Sequence, residues 1–190
     1  MTELPPGWAS ITLGEISTSI KNGIFVSRPG TEPNGVPILR ISSVRQLHLN
    51  HEDVRYSGLS AEELEDKDAL IHPGDLLFTR YSGSREYVGV CAVATGQPPQ
   101  LTYPDKIIRV RVDTRAALPK FVALVFAWHR TREFIESVLR TTAGQVGIAG
   151  KDLARTPFPL PPLAEQRRIV AALEDHLSRL DAGSQNIASA

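Results

Sequence analysis

Cysteine and long apolar segments are scarce in this sequence. Its 190 residues include one cysteine, Cys91, so neither a disulfide within the chain nor a cysteine-based zinc cluster can hold the fold together. The longest apolar run covers residues 121–128, far short of the roughly 20 residues that a membrane-spanning helix needs. The first residues have neither the basic start nor the apolar core of a signal peptide. We therefore expect a cytoplasmic protein without a membrane segment.

Short catalytic motifs are missing as well. The sequence has no HExxH, CxxC, GxGxxG or GxSxG pattern, and the closely spaced pair His48 and His51 is more typical of a loop than of a metal site. Segment 144–151 contains glycines and a lysine, but the glycine spacing is one residue too long for a phosphate-binding loop. Asp152 also stands where serine or threonine should bind magnesium. These absences predict no catalytic residue, no metal site and no cofactor in this chain.

The net charge of zero hides an uneven distribution. Residues 51–76 include eight acidic and two basic residues, whereas residues 76–160 include twelve basic and six acidic residues. Of the 21 basic residues, 16 are arginine, whose planar guanidinium group fits phosphates and guanine edges. A genome whose base composition favours arginine explains the same count. The charge pattern therefore favours a polyanionic partner without deciding the question.

Alternating apolar residues and turn signals predict four or five strands that mostly precede two helices. The predicted strands cover 36–41, 75–80, 87–95, 106–114 and 154–160. Asn22-Gly23 is a favoured pair for a type I′ turn. A capping box predicts a short helix over 61–67, whose solvated face accounts for the acidic cluster. A further helix begins at Pro119. This order favours an α+β fold with a mixed or antiparallel sheet.

Two polar segments combine small residues with hydrogen-bonding side chains. Loop 81–86 directly follows Arg80, and segment 141–151 is rich in glycine. Small residues let a backbone approach a duplex closely, while arginine and lysine supply contacts to bases and phosphates. The same features are compatible with simple turns, and Arg80 with an ion pair to Asp75 or Glu86. At this point DNA binding is one of two interpretations.

The last segment differs in kind, because its apolar residues follow a seven-residue repeat. The two series are Leu163, Val170 and Leu177, and Leu173, Leu180 and Ile187. Such a stripe over about three heptads is typical of a helix that packs against a partner helix. The alternative is a helix that packs back on its own domain.

Several segments together resemble a known family. They are residues 4–8 (LPPGW), 36–44 (VPILRISSV), 74–80 (GDLLFTR), 151–153 (KDL) and 159–170 (PLPPLAEQRRIV). On these segments the chain resembles a target-recognition unit of the specificity subunit of type I restriction–modification systems. The resemblance covers nearly the whole chain and is most specific in the last segment, directly before the heptad helix.

The resemblance implies a non-catalytic protein that reads DNA for its partners. Such subunits usually carry two recognition units separated by long antiparallel helices, and each unit reads one half of a split sequence. The helices hold modification subunits, which bind S-adenosylmethionine and methylate adenine, and a restriction subunit can join. The implied partners are double-stranded DNA, the modification subunit and the restriction subunit. S-adenosylmethionine is expected in the modification subunit, not in this chain.

Within this scheme we expect a DNA target-recognition domain over 1–160 and a conserved spacer and docking helix over 161–187. The predicted DNA contacts are Lys21, Asn22, Arg80, Tyr81, Ser84, Arg85, Gln145 and Lys151. The predicted subunit contacts are Leu163, Val170, Leu173, Leu177 and Leu180. One unit with one helix fits a fragment, a half-subunit that self-associates through this helix, or one of several recognition cassettes.

Two other functions stay open at this stage. The chain fits a recognition domain of a fused restriction–methylation enzyme, which a neighbouring methylase domain would reveal. It also fits a protein-interaction module with no role on DNA, for which binding would be insensitive to salt.

Overall fold

Strands and short helices make up the fold, and the computed structural model describes residues 4–96, 100–142 and 144–188. The strands in these ranges are β1 (Ala9–Thr12), β2 (Ser17–Asn22), β3 (Pro37–Leu39), β4 (Val44–Arg45), β5 (His48–Leu49), β6 (Val54–Tyr56), β7 (Leu76–Thr79), β8 (Tyr81–Ser82), β9 (Cys91–Val93), β10 (Ile107–Val112), β11 (Arg140–Thr142), β12 (Gln145–Gly147) and β13 (Pro157–Leu160). The helices are α1 (Leu13–Ile16), α2 (Ala61–Asp66), α3 (Pro119–Ala127), α4 (His129–Val138), α5 (Gly150–Ala154) and α6 (Leu163–Ala188), with 3-10 turns at Ile41–Ser43 and Arg85–Tyr87.

The central sheet has four strands in the order β2, β10, β7 and β9, and each neighbouring pair is antiparallel. A three-stranded sheet has the order β11, β12 and β8, and three two-stranded sheets pair β1 with β13, β3 with β6, and β4 with β5. The prediction of antiparallel sheets combined with short helices is confirmed.

Both faces of the central sheet are buried. Leu76 and Phe78 of β7 belong to a first core that includes residues of helices α3 and α4, whereas Leu77 between them belongs to a second core on the opposite face. Successive strand residues point to opposite faces, so burial on both sides requires an uninterrupted apolar run. This explains why β7 reads Leu-Leu-Phe rather than alternating with polar residues.

Most predicted elements are present with shorter bounds. The predicted strand over 87–95 is reduced to β9, because Arg85–Tyr87 forms a 3-10 turn before it. Helix α3 begins at Pro119 as predicted, since proline needs no hydrogen-bonded N–H in the first turn. Helix α2 starts with the predicted capping box, in which the Glu63 N–H donates to Ser60 Oγ at 3.2 Å. The Ser60 N–H donates back to Glu63 Oε2 at 2.8 Å.

The predicted type I′ turn at Asn22-Gly23 is wrong. Neither residue has a positive φ, and Asn22 is the last residue of β2. Gly23 is required for another reason, because a Cβ atom there would lie 2.2 Å from the Tyr103 carbonyl oxygen. The glycine therefore marks a close approach of two backbone segments and not a change of chain direction.

The two segments predicted as polar loops form a sheet instead. Tyr81–Ser82 is strand β8, and it pairs with β12, which in turn pairs with β11 in a hairpin. Gly144 has a φ of 78° in the turn of this hairpin, a conformation that glycine adopts without strain. The rest of the segment enters helix α5. The small residues of this segment are therefore compatible with a tight hairpin turn as well as with a flexible loop.

A charge network lies on the second-core face of β10. Arg109 and Asp75 are its buried members, whereas Asp68 is partly exposed. Arg109 is fully buried, and its Nη2 donates a 2.8 Å hydrogen bond to Asp68 Oδ2. Arg111 donates from Nε to Asp75 Oδ1 and from Nη1 to Asp68 Oδ1, both at 2.8 Å. Burial raises the pKa of Tyr103, whose ring centre lies 5.7 Å from the Arg109 guanidinium carbon, to about 12. The solvated helix face that the sequence predicted for the acidic cluster thus does not account for Asp68. Asp68 and Asp75, the latter at the start of a predicted strand, both pair with arginines of the central sheet.

This network makes stability depend on acid pH. The hydrogen bond from Arg109, together with that from Lys21, holds the pKa of the Asp68 carboxyl well below its usual value of 3.8. A carboxylate with a lowered pKa in the folded state stabilises the fold above its unfolded pKa, and this contribution is lost as the pH falls through and below about 4. We expect the free energy of unfolding to fall between about pH 5 and pH 2, and to fall less steeply in Asp68→Asn. Urea unfolding at stepped pH measures both slopes, and equal slopes would contradict the assignment.

A buried glutamine fixes the start of helix α6 to the domain. Gln166 is fully buried, and its Oε1 accepts a 2.8 Å hydrogen bond from the Leu118 N–H. Its Nε2 donates to the carbonyl oxygens of Ala116 at 2.9 Å and Pro161 at 2.8 Å. Val170, one turn later, is 8% exposed and belongs to the first core. Val170 therefore packs within its own domain, and we remove it from the predicted subunit contacts.

The other predicted contacts on this helix differ in exposure. Leu163 is half-buried, and Leu173 is 39% exposed. The side chains of Leu177 and Leu180 lie outside the described residues. Leu173 borders an apolar groove of about 520 Å³. The other residues lining the groove are Trp8, Leu47, Phe121, Leu124, Val125, Ala127, Trp128, Pro159 and Ile169.

Candidate nucleic-acid interface

Strand order brings two predicted contact residues to one end of the central sheet. Strands β2 and β7 both pair antiparallel with β10, so they run in the same direction and end at the same edge. Asn22, the last residue of β2, pairs with Ile108 near the start of β10. Thr79, the last residue of β7, pairs with Ile107, and Arg80 follows it. Asn22 and Arg80 therefore flank the start of β10.

The segment after β12 adds a third residue to this end of the sheet. The Ile148 N–H donates a 3.0 Å hydrogen bond to the Arg80 carbonyl oxygen, and helix α5 follows with Lys151 in its first turn. Asn22, Arg80 and Lys151 line one shallow depression of about 450 Å³. The other lining residues are small or apolar: Ile20, Ala149, Gly150 and Ala154. Three of the eight predicted DNA contacts thus share one site.

Arg80 is held in place by its neighbours. Its guanidinium carbon lies 4.7 Å from the centre of the Tyr81 ring, and its Nη1 donates a 3.0 Å hydrogen bond to the Asp105 carbonyl oxygen. The Tyr81 ring packs against Gly147, where a Cβ atom would lie 2.3 Å from Tyr81 Cδ1. The sequence allowed an ion pair of Arg80 with Asp75 or Glu86, and the structure shows neither. The stacked guanidinium keeps its charge uncompensated by a carboxylate among the described residues.

Ser84 and Arg85 lie in a second depression, apart from the first. This depression is lined by Ser84, Arg85, Glu86 and Glu136. The Ser84 N–H donates to Ser82 Oγ at 3.1 Å, and Arg85 Nη2 donates to the Glu136 carbonyl oxygen at 3.3 Å. Two acidic side chains thus accompany Arg85, which makes this depression less favourable for an anion than the first.

Lys21 is used within the domain. Its Nζ donates to Asp68 Oδ2 at 2.9 Å and to the Lys67 carbonyl oxygen at 3.3 Å. Lys21 of β2 is the register partner of Arg109 of β10, and it joins the charge network on that face of the sheet. Because successive strand residues alternate, Asn22 points to the opposite face. The sequence could not show this, because Asp68 lies 47 positions further along the chain.

Two exposed cations that the sequence interpretation missed lie close in the fold to Arg80 and Lys151. Lys106, directly before β10, is exposed and accepts the Arg80 N–H at its carbonyl oxygen at 2.9 Å. Arg140 of β11 has a side chain 71% exposed, 3.6 Å from Asp152. Gln145, one of the predicted contacts, is exposed at the start of β12. Lys106 could have been found from its position one residue before β10, because the site lies at the start of that strand.

The described residues, 4–96, 100–142 and 144–188, contain no group of three histidine, cysteine, aspartate or glutamate side chains that could hold a metal ion. In that part of the chain, no helix has the length and apolar character needed to cross a membrane. Cys91 is buried, and burial raises the pKa of its thiol well above the usual value. A thiol of this kind is packing material and not a nucleophile.

The arrangement provides hydrogen-bond donors of several shapes on a rigid support. A guanidinium group, an amide and an ammonium group converge from three backbone segments on one depression. Such donors can contact phosphate oxygens and base edges at the same time. Fold and site together have the character of a binding module, and the donors in this depression suit an anionic ligand.

Comparison with known proteins gives this module a family. The family model for the type I restriction modification DNA specificity domain matches residues 5–188. The chain belongs to this family. It is 42% identical over 167 residues to the EcoKI specificity subunit of Escherichia coli strain K12, an alignment that covers 87% of this chain and 35% of that protein. The chain spans about a third of the length of the curated relatives it matches.

Solved structures show the same fold. The HsdS subunit from Thermoanaerobacter tengcongensis superposes with a TM-score of 0.66 and 25% identity, over 95% of this chain and 40% of that one. A chain from a structural study of complex assembly and conformational transition of the type I R-M system superposes with a TM-score of 0.68 and 24% identity, over 97% of this chain and 42% of that one. Both likenesses extend to nearly the whole length of this chain.

Proposed function

We propose that this chain recognises part of a DNA sequence as the specificity component of a type I restriction–modification complex. In this proposal the chain performs no chemistry. A modification subunit, which binds S-adenosylmethionine, methylates adenine at the site that the chain selects, and a restriction subunit joins for cleavage. A cytoplasmic location follows from DNA being the ligand.

The observation that carries the proposal is the convergence of Asn22, Arg80 and Lys151 on one depression at the end of the central sheet. Two further cations lie near these residues in the fold: Lys106 accepts the Arg80 N–H at its carbonyl oxygen, and Arg140 pairs with Asp152, the neighbour of Lys151. Base recognition needs hydrogen-bond donors held in a fixed geometry. An arginine side chain that is ordered only on binding pays an entropy cost, which reduces the binding free energy. Stacking on Tyr81 and the bond to the Asp105 carbonyl fix the Arg80 fork in this way.

The remaining predicted contacts extend this surface. Tyr81 and Gln145 lie on the sheet formed by β8, β12 and β11, next to the depression. Ser84 and Arg85 lie in the second depression and are the weaker candidates for DNA contacts, and Lys21 contributes indirectly by holding the strand that ends in Asn22. We therefore assign base contacts first to Asn22, Arg80 and Gln145, and a phosphate contact to Lys151.

The C-terminal helix is the proposed docking element. We assign residues 1–160 to DNA recognition and 161–187 to the spacer and docking helix, whose first two turns also complete the domain core. Leu163, Leu173, Leu177 and Leu180 form the proposed stripe, which binds the modification subunit or a second helix in a coiled coil. The apolar groove beside Leu173 widens the surface available to that partner.

Arg80→Ala is expected to weaken binding of the chain's own target sequence by about 1–3 kcal/mol, and to relax specificity at one base pair. The physical reason is the loss of a positioned fork that donates to one guanine. Equilibrium binding of the assembled complex to a set of duplexes, each with one altered base pair, measures both effects.

Arg115→Ala is the matched control for Arg80→Ala. Arg115 follows the far end of β10, its side chain is 89% exposed, and it pairs with Asp113 on the surface. This variant should bind as the wild type does. If Arg80→Ala instead weakened binding equally on every duplex, the residue would contact a phosphate and not a base.

An adenine-methylation map tests the function as a whole. The modification subunit is expressed with and without this chain, and host DNA is read for methylated adenine. A sequence motif methylated only with the chain present supports the proposal, and a palindromic motif shows that two copies act together. Absence of any chain-dependent methylation, with the modification subunit folded and present, would overturn it.

A further inference from the structure

Phe25 is the most exposed large apolar side chain among the described residues. It is 78% exposed, whereas the other exposed large apolar side chains, Leu4, Leu47, Tyr87, Trp128 and Leu173, lie between 38% and 40%. Single exposed apolar residues are common on proteins and do not by themselves mark a site. The position of Phe25 and the rigidity of its support distinguish it.

The backbone directly before Phe25 is fixed to the segment that leads into β10. The Gly23 N–H donates to the Ile107 carbonyl oxygen at 3.1 Å, and the Ile24 N–H donates to the Tyr103 carbonyl oxygen at 3.0 Å. The Asp105 N–H donates back to the Ile24 carbonyl oxygen at 2.8 Å. Phe25 is therefore the first residue after a stretch whose backbone is hydrogen-bonded. Binding through its side chain would cost little backbone conformational entropy.

A second anchor closes the segment that carries Phe25. Gly30 and Tyr56 exchange both backbone hydrogen bonds, each at 3.0 Å. Residues 25–29 thus form a short arch between two fixed points, and Phe25 stands at its first position. The ring of Phe25 lies outside the hydrophobic core, whereas the preceding Ile24 packs against it.

Asp105 connects this arch to the depression of Asn22, Arg80 and Lys151. Its N–H binds the Ile24 carbonyl oxygen, and its own carbonyl oxygen accepts the Arg80 Nη1 hydrogen bond at 3.0 Å. Phe25 also lies three residues after Asn22. The exposed ring therefore borders the same end of the central sheet from which Arg80 and Asn22 project.

We propose that Phe25 contacts a base of the bound DNA through its apolar ring and contributes to sequence selection. This inference rests on the proposed DNA-recognition function. A phenyl ring has no charge or hydrogen-bond donor with which to bind a phosphate. Bases present two apolar surfaces to it: the methyl group of thymine in the major groove, and the flat face of a base at an opened step. The shared chemistry is an apolar contact to a base, and the experiment separates the two sources.

The test compares Phe25→Ala and Phe25→Leu with the wild type in the chain assembled with its modification subunit. The duplex carries the motif found by methylation mapping. Phe25→Ala should weaken binding of this duplex roughly 5- to 150-fold, the range typical of one lost aromatic contact to a base. Phe25→Leu should restore most of the affinity, because it keeps apolar volume. Leu4→Ala, at an exposed apolar residue before β1, is the matched control and should bind as the wild type does.

Two modified duplexes identify the surface that Phe25 contacts. Replacing each thymine in turn by deoxyuridine removes one methyl group, and 2-aminopurine at each position reports an opened base step by its fluorescence. Either a deoxyuridine position that weakens only the wild type, or a fluorescence increase absent from Phe25→Ala, supports the inference. Wild-type affinity in Phe25→Ala, or loss of assembly with the modification subunit, would overturn it. Failure of the wild-type complex itself to bind the motif would instead overturn the proposed function.

Discussion

Arg109→Ala is expected to lower the free energy of unfolding by about 2–5 kcal/mol, the range for truncating a large buried side chain to alanine. Arg109 is among the largest of the fully buried side chains, so its removal leaves a cavity beside Leu77 and Ile107 in the second core. It also leaves the carbonyl oxygens of Asp68 and Leu70 without the hydrogen bonds they accept from Nη1 at 3.0 and 3.1 Å. Urea unfolding followed by circular dichroism measures the loss.

Arg115→Ala is the control for this experiment as well. It breaks an arginine–aspartate pair of similar length, 2.8 Å to Asp113, but in solvent. Exposed pairs contribute between zero and about 1 kcal/mol, because water and salt screen them. If both variants lost the same free energy of unfolding, the burial of Arg109 would not be the reason for its stabilising effect. Arg109→Lys should fall between the two, since an ammonium group keeps the charge and loses the fork.

Gln166→Leu is expected to cost about 2–5 kcal/mol in the free energy of unfolding. The side chain satisfies one backbone N–H and two backbone carbonyl groups, and each buried group left without a partner costs about 1–3 kcal/mol, although such costs do not add fully. Leucine fills similar space and satisfies none of them. Thermal and urea unfolding of the variant measure the effect on stability.

The same variant should also separate helix α6 from the domain. Val170 follows Gln166 by one turn and would lose its packing in the first core. We therefore expect chain-dependent adenine methylation to fall even in preparations that remain folded. Gln145→Leu makes the same chemical change at an exposed glutamine and should leave the free energy of unfolding within about 0.5 kcal/mol of the wild type. Equal losses of the free energy of unfolding in the two variants would contradict the anchoring role.

Local features of the fold were predictable from the sequence, and features that depend on distant pairing were not. The capping box of α2, the proline at the start of α3 and the alternation in β10 each act within a few residues. The burial of Arg109 depends on Asp68, which lies 41 positions away. No local sequence pattern around either residue predicts that they form a pair. The hairpin of β11 and β12 was missed because glycine and threonine are common in loops. The close packing of Gly147 on Tyr81, which joins β12 to β8, depends on a residue 66 positions away.

The candidate site was predictable only in part, for the same reason. Residue type pointed to Arg80 and Lys151, but also to Lys21, and only the pairing of strands shows that Lys21 faces the charge network. Five sequence segments indicated the family, and segment 159–170 was the most specific of them. The role of Gln166 within that segment depends on three hydrogen bonds to backbone groups, two of which lie about 50 positions away in the chain, where no sequence pattern marks them.

Burial of both faces of the central sheet has a consequence for how such proteins diverge. Folding depends on residues between the two cores, whereas the proposed reading residues stand on the sheet's end and on exposed loops. Substitutions on exposed loops usually change stability little, so a new target preference can arise without crossing the threshold of unfolding. Selection can then act on Asn22, Phe25, Arg80 and Gln145 almost independently of the scaffold. A lineage that must keep changing the sequences it marks gains from this separation of mutational effects.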